Sequence, residues 1–488
     1  MSVQARTRGL PFGPQQLHGL AFSFWAFAVG AGVCIHEWQR AQPPLSLTGL
    51  TVVLAVGVLL RPSSVPRVMA LLATMGLELL IDLPDVFNHT LVIGVVGITL
   101  LLWWLLVLRR SPAEARDPAL VYSSIAPFLR VAFVVVLYAA AFAKLNTGFL
   151  DPATTCAVWI IDAIPFVTIP TGLAGLMIVG GIVVEFAIPT SLLFRRTRPL
   201  GIVLGIWFGV VTALAGHAPF AGFGWSFYLV FIPPGTLGRV AATVGRRLTP
   251  QVRRWLAGAS ESPLGWIVLG GAALIVMGIV QLAPVDTVAI LKRYGATFAF
   301  CGWMVIWTVL LAVNWRHWLR VPAREGRFGA GHTIFAVVLV LILVNAASPY
   351  LGLKTRFSFT MFSNLQTEPG RWNHVVLPEA VRVFDLQKGL VRFDQVSDPA
   401  LAAAIDVYSG PKRWSSGAVT SDRAWVVLLA ARRLVSNYPD ATVRYEFEGE
   451  ARVAAPVASD PILGGSVPFI VQKLGGFRPL DSEDTCQL

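Results

Sequence analysis

Long apolar runs recur from about Leu17 to Ala347, and each approaches the roughly 20 residues that a helix needs to cross a hydrocarbon core about 30 Å thick. Backbone inside lipid must satisfy its own hydrogen bonds, so runs of this kind fold as helices packed on one another. Composition agrees: 55% of the residues are hydrophobic and 14% charged, and the mean hydropathy of +0.66 lies outside the range of a soluble domain. The pattern predicts about eleven spans, near residues 17–36, 46–60, 66–83, 90–108, 125–146, 171–194, 199–216, 223–238, 263–283, 295–313 and 331–349. The run 46–60 is short and 223–238 carries Pro233 and Pro234, so both are expected to be tilted, broken or re-entrant.

After Leu351 the composition becomes that of an ordinary globular protein. The expected architecture is a polytopic α-helical membrane bundle over residues 1–350 and a soluble α+β domain over 351–488. Within that domain the stripe Trp425, Leu428, Leu429 and Val435 predicts a helix over 422–436, and alternation predicts strands over 357–362, 374–377, 391–393 and 442–447.

Charge orients the bundle. Net charge is +12, but residues 351–488 hold 15 Lys/Arg and 15 Asp/Glu, so the excess belongs to the apolar part, with 24 basic against 12 acidic residues. That distribution fits loop charges flanking spans rather than a nucleic-acid surface. One alternating set of loops carries 19 arginines, among them Arg109, Arg110, Arg195, Arg196, Arg246 and Arg247. The other set holds only Arg40, Lys144, Lys292 and Arg293, with acids such as Glu37, Asp82 and Asp162. Since basic loops stay in the cytoplasm, the N-terminus is expected inside and the C-terminal domain extracytoplasmic. Arg6 and Arg8 precede the first run without a small-residue cleavage site after it, so that run reads as a retained span. Arg outnumbers Lys and Ala, Val and Gly abound, which fits a GC-rich bacterial genome and places the chain in a bacterial plasma membrane. Cys34, Cys156, Cys301 and Cys486 are widely scattered with no CxxC, so no disulfide framework is expected.

On this topology the reactive side chains gather at one side. His36 ends the first span, His89 opens the fourth, Lys144 closes the fifth and His217 lies in the hairpin between the seventh and eighth. Asn88, Asn146 and Asp151 flank them, and the soluble domain adds His374. An ionisable group at or within a span is costly and is read first as functional. Lys144 follows the apolar run Val131–Ala143, and burial disfavours an ammonium, which is how a lysine becomes a general base; the structural alternative is a snorkelling side chain. Glu78 and Glu185 fall inside spans and need partners, either as a polar clamp between helices or as a relay. His89 and His217 have the alternative of capping helices or meeting headgroups. No HExxH, HxH or close Cys/His pair points to a metal, and no GxGxxG, phosphate loop or GxSxG elbow occurs in a suitable setting.

The stretch Tyr138-Ala-Ala-Ala-Phe-Ala-Lys144-Leu-Asn-Thr-Gly-Phe149-Leu-Asp151-Pro resembles a span end and loop of the HTTM family, the membrane domain shared with vitamin K-dependent gamma-carboxylase. Asn88-His89-Thr-Leu resembles the start of an earlier span in that carboxylase. Arg356-Phe-Ser-Phe-Thr-Met361-Phe-Ser-Asn364-Leu with Arg371-Trp-Asn373-His374, and Ala430-Ala-Arg-Arg-Leu434 with Tyr438-Pro and residues 442–447, are similar to segments beyond the last span. The resemblance implies a carboxylase-like or epoxidase-like enzyme using a vitamin K-like quinol. There a lysine deprotonates the quinol, oxygen converts it to a strong base, and a glutamate of a peptide or protein substrate is carboxylated. Lys144 would be the base and His89 its assistant, facing the extracytoplasmic side. The chain departs from that pattern in its larger number of spans and smaller outer domain. Two other classes are open: a transporter with Glu78, Glu185 and Lys144 on a proton path, and a non-catalytic scaffold whose outer domain binds a partner.

Overall fold

The structure, a computed structural model, describes residues 12–40, 46–84, 86–164, 167, 170–247, 295–314, 326–409, 425–480 and 486. The expected span at 263–283 lies outside these residues. The chain opens with α1 (Pro14–Arg40), α2 (Leu47–Leu60), α3 (Val65–Asp82) and α4 (Asn88–Arg110), then a short α5 (Pro112–Arg116) and α6 (Pro118–Phe142). Proline marks several starts. Pro66, Pro112 and Pro118 occupy first turns, where the missing N–H had no helical partner, and Asp117 caps α6 by accepting from the Ala119 N–H at 2.8 Å. With 14 residues α2 is about 21 Å long, too short to cross the core upright.

Two short helices follow, α7 (Thr147–Leu150) and α8 (Cys156–Asp162), then α9 (Ala174–Leu193), α10 (Arg198–Thr212), α11 (Ala218–Leu229) and α12 (Pro234–Arg247). Residues from Arg198 to Leu229 are long and apolar enough to be one span, but a wide turn at Ala213–His217 with Gly216 at φ 99° sends the chain back on itself. A Cβ on Gly205 would stand 2.1 Å from the Tyr228 ring, so α10 and α11 pack as a close antiparallel hairpin. After Leu229 the helix stops and restarts at Pro234, as the Pro233–Pro234 pair leads one to expect. Among the described residues α13 (Ala296–Val313) and α14 (Thr333–Ala347) complete the bundle.

α1 sits centrally, packed on α2, α6, α11 and α12. The core holds Phe22, Trp25, Tyr122, Phe128, Phe223, Phe231 and Trp307, all buried. Pro14–Trp38, Asn88–Arg110, Pro118–Phe142 and Ala174–Leu193 have the length and apolar character of membrane-crossing segments, whereas the equally apolar Arg198–Leu229 is divided by its turn into the shorter α10 and α11. Their outward faces are apolar too: Leu176, Val179 and Val183 on α9 are about 60% exposed, a surface suited to lipid.

Beyond α14 lies a second core around a four-stranded antiparallel sheet of order β2-β1-β3-β4, where β1 is Leu390–Val396, β2 Trp425–Val427, β3 Val443–Phe447 and β4 Glu450–Ala454. Val391, Phe393, Val443 and Tyr445 face α15 (Pro399–Ser409) and α16 (Leu428–Val435). Glu448 and Gly449, both at positive φ, form the two-residue turn between β3 and β4, a geometry that matches strand twist. The last helix is α17 (Phe469–Leu474).

Four expectations need correction. The helix expected over 422–436 begins only at Leu428, because Trp425–Val427 pair with Leu390–Arg392 as β2; residues 410–424 are outside the described set. Residues 357–362 are no strand: Phe357, Phe359 and Phe362 have φ of 59°, 63° and 50°, which no extended chain permits. At 374–377 there is one bridge, Asn146 to His374. Finally, Cys156 and Cys486 form a disulfide across a sequence separation of 330, their Cα atoms 4.9 Å apart; folding supplies a proximity that spacing does not.

Candidate active site

α6 ends because the chain tightens after Phe142. The N–H of Lys144 donates to Ala141 O (3.2 Å) and that of Leu145 to Phe142 O (3.1 Å), and Asn146 then opens α7, its Oδ1 accepting from the Phe149 N–H at 2.8 Å. Lys144, leaving this turn, is buried. Its Nζ stands 2.8 Å from Glu185 Oε2 and donates to Met361 O at 3.0 Å and, at 3.4 Å, to Ala140 O. Glu185 sits in the middle of α9, where a lone carboxylate would be expensive, and the amine meets that demand. Side-chain exposure is 4% for Lys144 and 12% for Glu185.

Around the pair is an apolar cavity walled by Leu137, Ile160, Ile188, Phe208, Phe220 and Phe362. The cavity volume is about 30 Å³, room for a water or two rather than an aromatic ring. In such surroundings a lone charge is penalised, so the burial of each group depends on the other.

The wall that carries Phe362 is a strap, residues 356–374, laid across this end of the bundle. Phe357, Phe359, Phe362 and Asn364 (φ 52°) are left-handed, a conformation that costs a phenylalanine about 1–3 kcal/mol and persists only where the surroundings impose it. The surroundings do so through polar groups. Asn88 Oδ1 accepts from the Phe359 N–H (2.8 Å), Asn345 and Lys354 donate to Phe357 O (3.2 and 3.3 Å), and Asn146 donates to Ser363 O. Asn364 Oδ1 accepts from the Cys156 N–H (2.9 Å), while its amide donates to Thr154 O (2.8 Å). The Asn373 amide closes the strap on Asn364 O (2.8 Å). Burial pushes the Lys354 amine down to about 8.

The other expected residues divide. His217, in the wide turn, meets the Phe362 ring edge-on at 4.7 Å, so it touches the cavity through that wall. His89 has its own neighbours: it stacks on Phe87 and Phe223 and meets His36 edge-on at 5.3 Å, and His36 Nε2 is 3.8 Å from Glu37 Oε1. Glu78 accepts from the Thr51 hydroxyl at 2.8 Å between α2 and α3, a separate polar clamp. His374 is structural. Its Nδ1 accepts from the Val376 and Leu377 N–H groups (3.2 and 2.9 Å), which leaves Nε2 as the donor to Phe142 O (3.2 Å). Asp151 is exposed and accepts from the Ala153 N–H within its turn. Among the described residues no three His, Cys, Asp or Glu side chains converge as metal ligands.

Sequence reading passed over Met361 and Phe362 as site residues and left Glu185 without a named partner. One signal was available: Lys144 and Lys292 are the only lysines before residue 351, and a mid-span carboxylate asks for a cation. No family model, curated protein or solved structure matches this chain.

Proposed function

We propose that this is a multi-pass membrane enzyme in which Lys144 and Glu185 exchange a proton with a lipid-soluble, weakly acidic substrate at the bilayer face next to the C-terminal domain. The observation that carries the reading is the buried amine of Lys144, 2.8 Å from Glu185 in an apolar cavity on the lipid-exposed helix α9. A carboxylate partner lets the lysine pass its proton on and return to the neutral form that a base requires.

The resemblance to the HTTM family and vitamin K-dependent gamma-carboxylase makes a quinol the first substrate class to test, with a peptide glutamate as acceptor. Rings lining the cavity, with Thr212 and the Lys144–Glu185 pair as its polar side chains, suit a flat molecule bearing a hydroxyl. Such a quinol would supply the acidic hydroxyl and reducing electrons. Because the cavity holds only water-sized space, Phe362 or Phe220 would have to part to admit it. An extracytoplasmic site in a bacterial plasma membrane, under about eleven spans, is supported by the 19 arginines on the opposite loops and by the Cys156–Cys486 disulfide, since disulfides persist in oxidising compartments.

The test is quinone extraction and quinol oxidation by detergent-purified protein. We expect a copurifying quinone and turnover that falls by about 10²-fold or more in Lys144→Arg, with folding retained. Full activity in Lys144→Arg, or no quinone and no turnover in folded wild type, overturns the reading. Charge movement in proteoliposomes without turnover would identify a transporter instead.

A further inference from the structure

The C-terminal domain carries apolar side chains that no part of the described chain covers: Val375 and Val376, Val383 and Phe384, and on α17 Phe469, Ile470 and Leu474. All three groups are fastened close to where the bundle's helices end. The Val375 N–H donates to Leu145 O (2.9 Å), three residues past α6. Val383 and Phe384 both donate to Leu351 O (3.3 and 2.9 Å), four residues past α14. Gly476, two residues after Leu474, accepts from the Thr355 and Arg356 N–H groups (3.0 and 2.9 Å), and the adjoining Phe357 O is held by Asn345 of α14 itself. These anchors set the height of the patch at the level of the helix ends.

α17 is built for that position. Val471 turns into the domain core at 8% exposure, while Phe469, Ile470 and Leu474 are 74%, 65% and 52% exposed and Lys473 sits among them. Ile470 and Leu474, four apart, share a face. Large apolar side chains grouped on a rim are costly in water and mark a contact surface.

We infer that this rim is seated in the bilayer leaflet nearest the C-terminal domain, α17 lying in the interface with Phe469, Ile470 and Leu474 among the upper acyl chains and Lys473 at headgroup level. Continuity with the apolar belt of the bundle selects lipid as the occupant: the helix ends fix the rim beside the membrane. The domain is then anchored at its lower edge as well as by the chain. The inference rests on the bundle crossing a membrane and on no catalytic property.

The test uses the full chain in nanodiscs holding one copy each, with Cys34→Ser and Cys301→Ser and no reductant. A fluorescent maleimide is placed at Phe469→Cys or Ile470→Cys, and at Glu450→Cys on the charged β3–β4 hairpin as the aqueous reference. Nitroxide-bearing lipid should quench the labels at 469 and 470 several-fold more than the label at 450, and aqueous iodide should do the reverse. Equal iodide quenching at all three positions overturns the proposal. So does shielding of 469 and 470 that appears only in discs with two copies, which would assign the rim to self-association.

Discussion

Lys144 and Glu185 each make the other's burial tolerable, so the two substitutions should not add. Removing the amine alone strands a carboxylate in an apolar wall, a loss of about 3–5 kcal/mol for a buried pair, whereas replacing both groups with apolar residues of similar volume avoids the desolvation altogether. Thermal melts in detergent should therefore rank Lys144→Met well below the double variant Lys144→Met/Glu185→Leu, and equal melts for the two would show that the pair is not coupled. His374 gives a prediction of a different kind. Burial lowers its pKa, partly offset by its bond to Phe142 O, so the folded protein favours the neutral ring. The unfolded histidine takes up its proton near pH 6.5, so this contribution is present above that pH and is lost as pH falls below it. Melting temperature should drop more steeply between pH 7 and 5 in wild type than in His374→Gln. Parallel profiles would remove His374 from the account.

The strap is the element on which the site depends most, and its left-handed residues are the place to probe it. Asparagine accepts that conformation at low cost and bonds to both Cys156 and Thr154; valine does neither. Asn364→Val should lower stability by at least about 2 kcal/mol and raise the reactivity of the neighbouring disulfide toward a mild reductant, whereas unchanged reduction kinetics would show that the strap does not depend on Asn364. The same element shows where sequence reading stops. Apolar runs near 20 residues mark α1, α4, α6 and α9 because lipid leaves the backbone no other choice, and Pro233–Pro234 mark the break before α12. The run Phe357-Ser-Phe-Thr-Met-Phe alternates like a strand, but its backbone is set by Asn88, Asn146, Asn345 and Lys354, donors and acceptors scattered over the chain. Lys144 and Glu185 were each legible as costly residues. Their meeting depends on how α6 packs against α9, which no local pattern encodes.

Across the whole molecule, one covalent bond couples the bundle to Cys486, beyond the sheet. A single proteolytic cut between Cys156 and Cys486 should leave two fragments that migrate together on a denaturing gel and separate on reduction; fragments already separate without reductant would disprove the linkage. The bond packs against Phe149, Ile178 and Phe362, so it buttresses the same strap that closes the Lys144 cavity. It also imposes an order of assembly. From Cys156 to Cys486 the chain is a closed ring that contains α9, the strap and the sheet, and the ring cannot shut until translation has reached Cys486. Glu185 and Met361 are thus held within a loop whose clasp is made after both of them, and a nascent chain released before Cys486 would carry its lysine and glutamate but lack the fastening that keeps them covered.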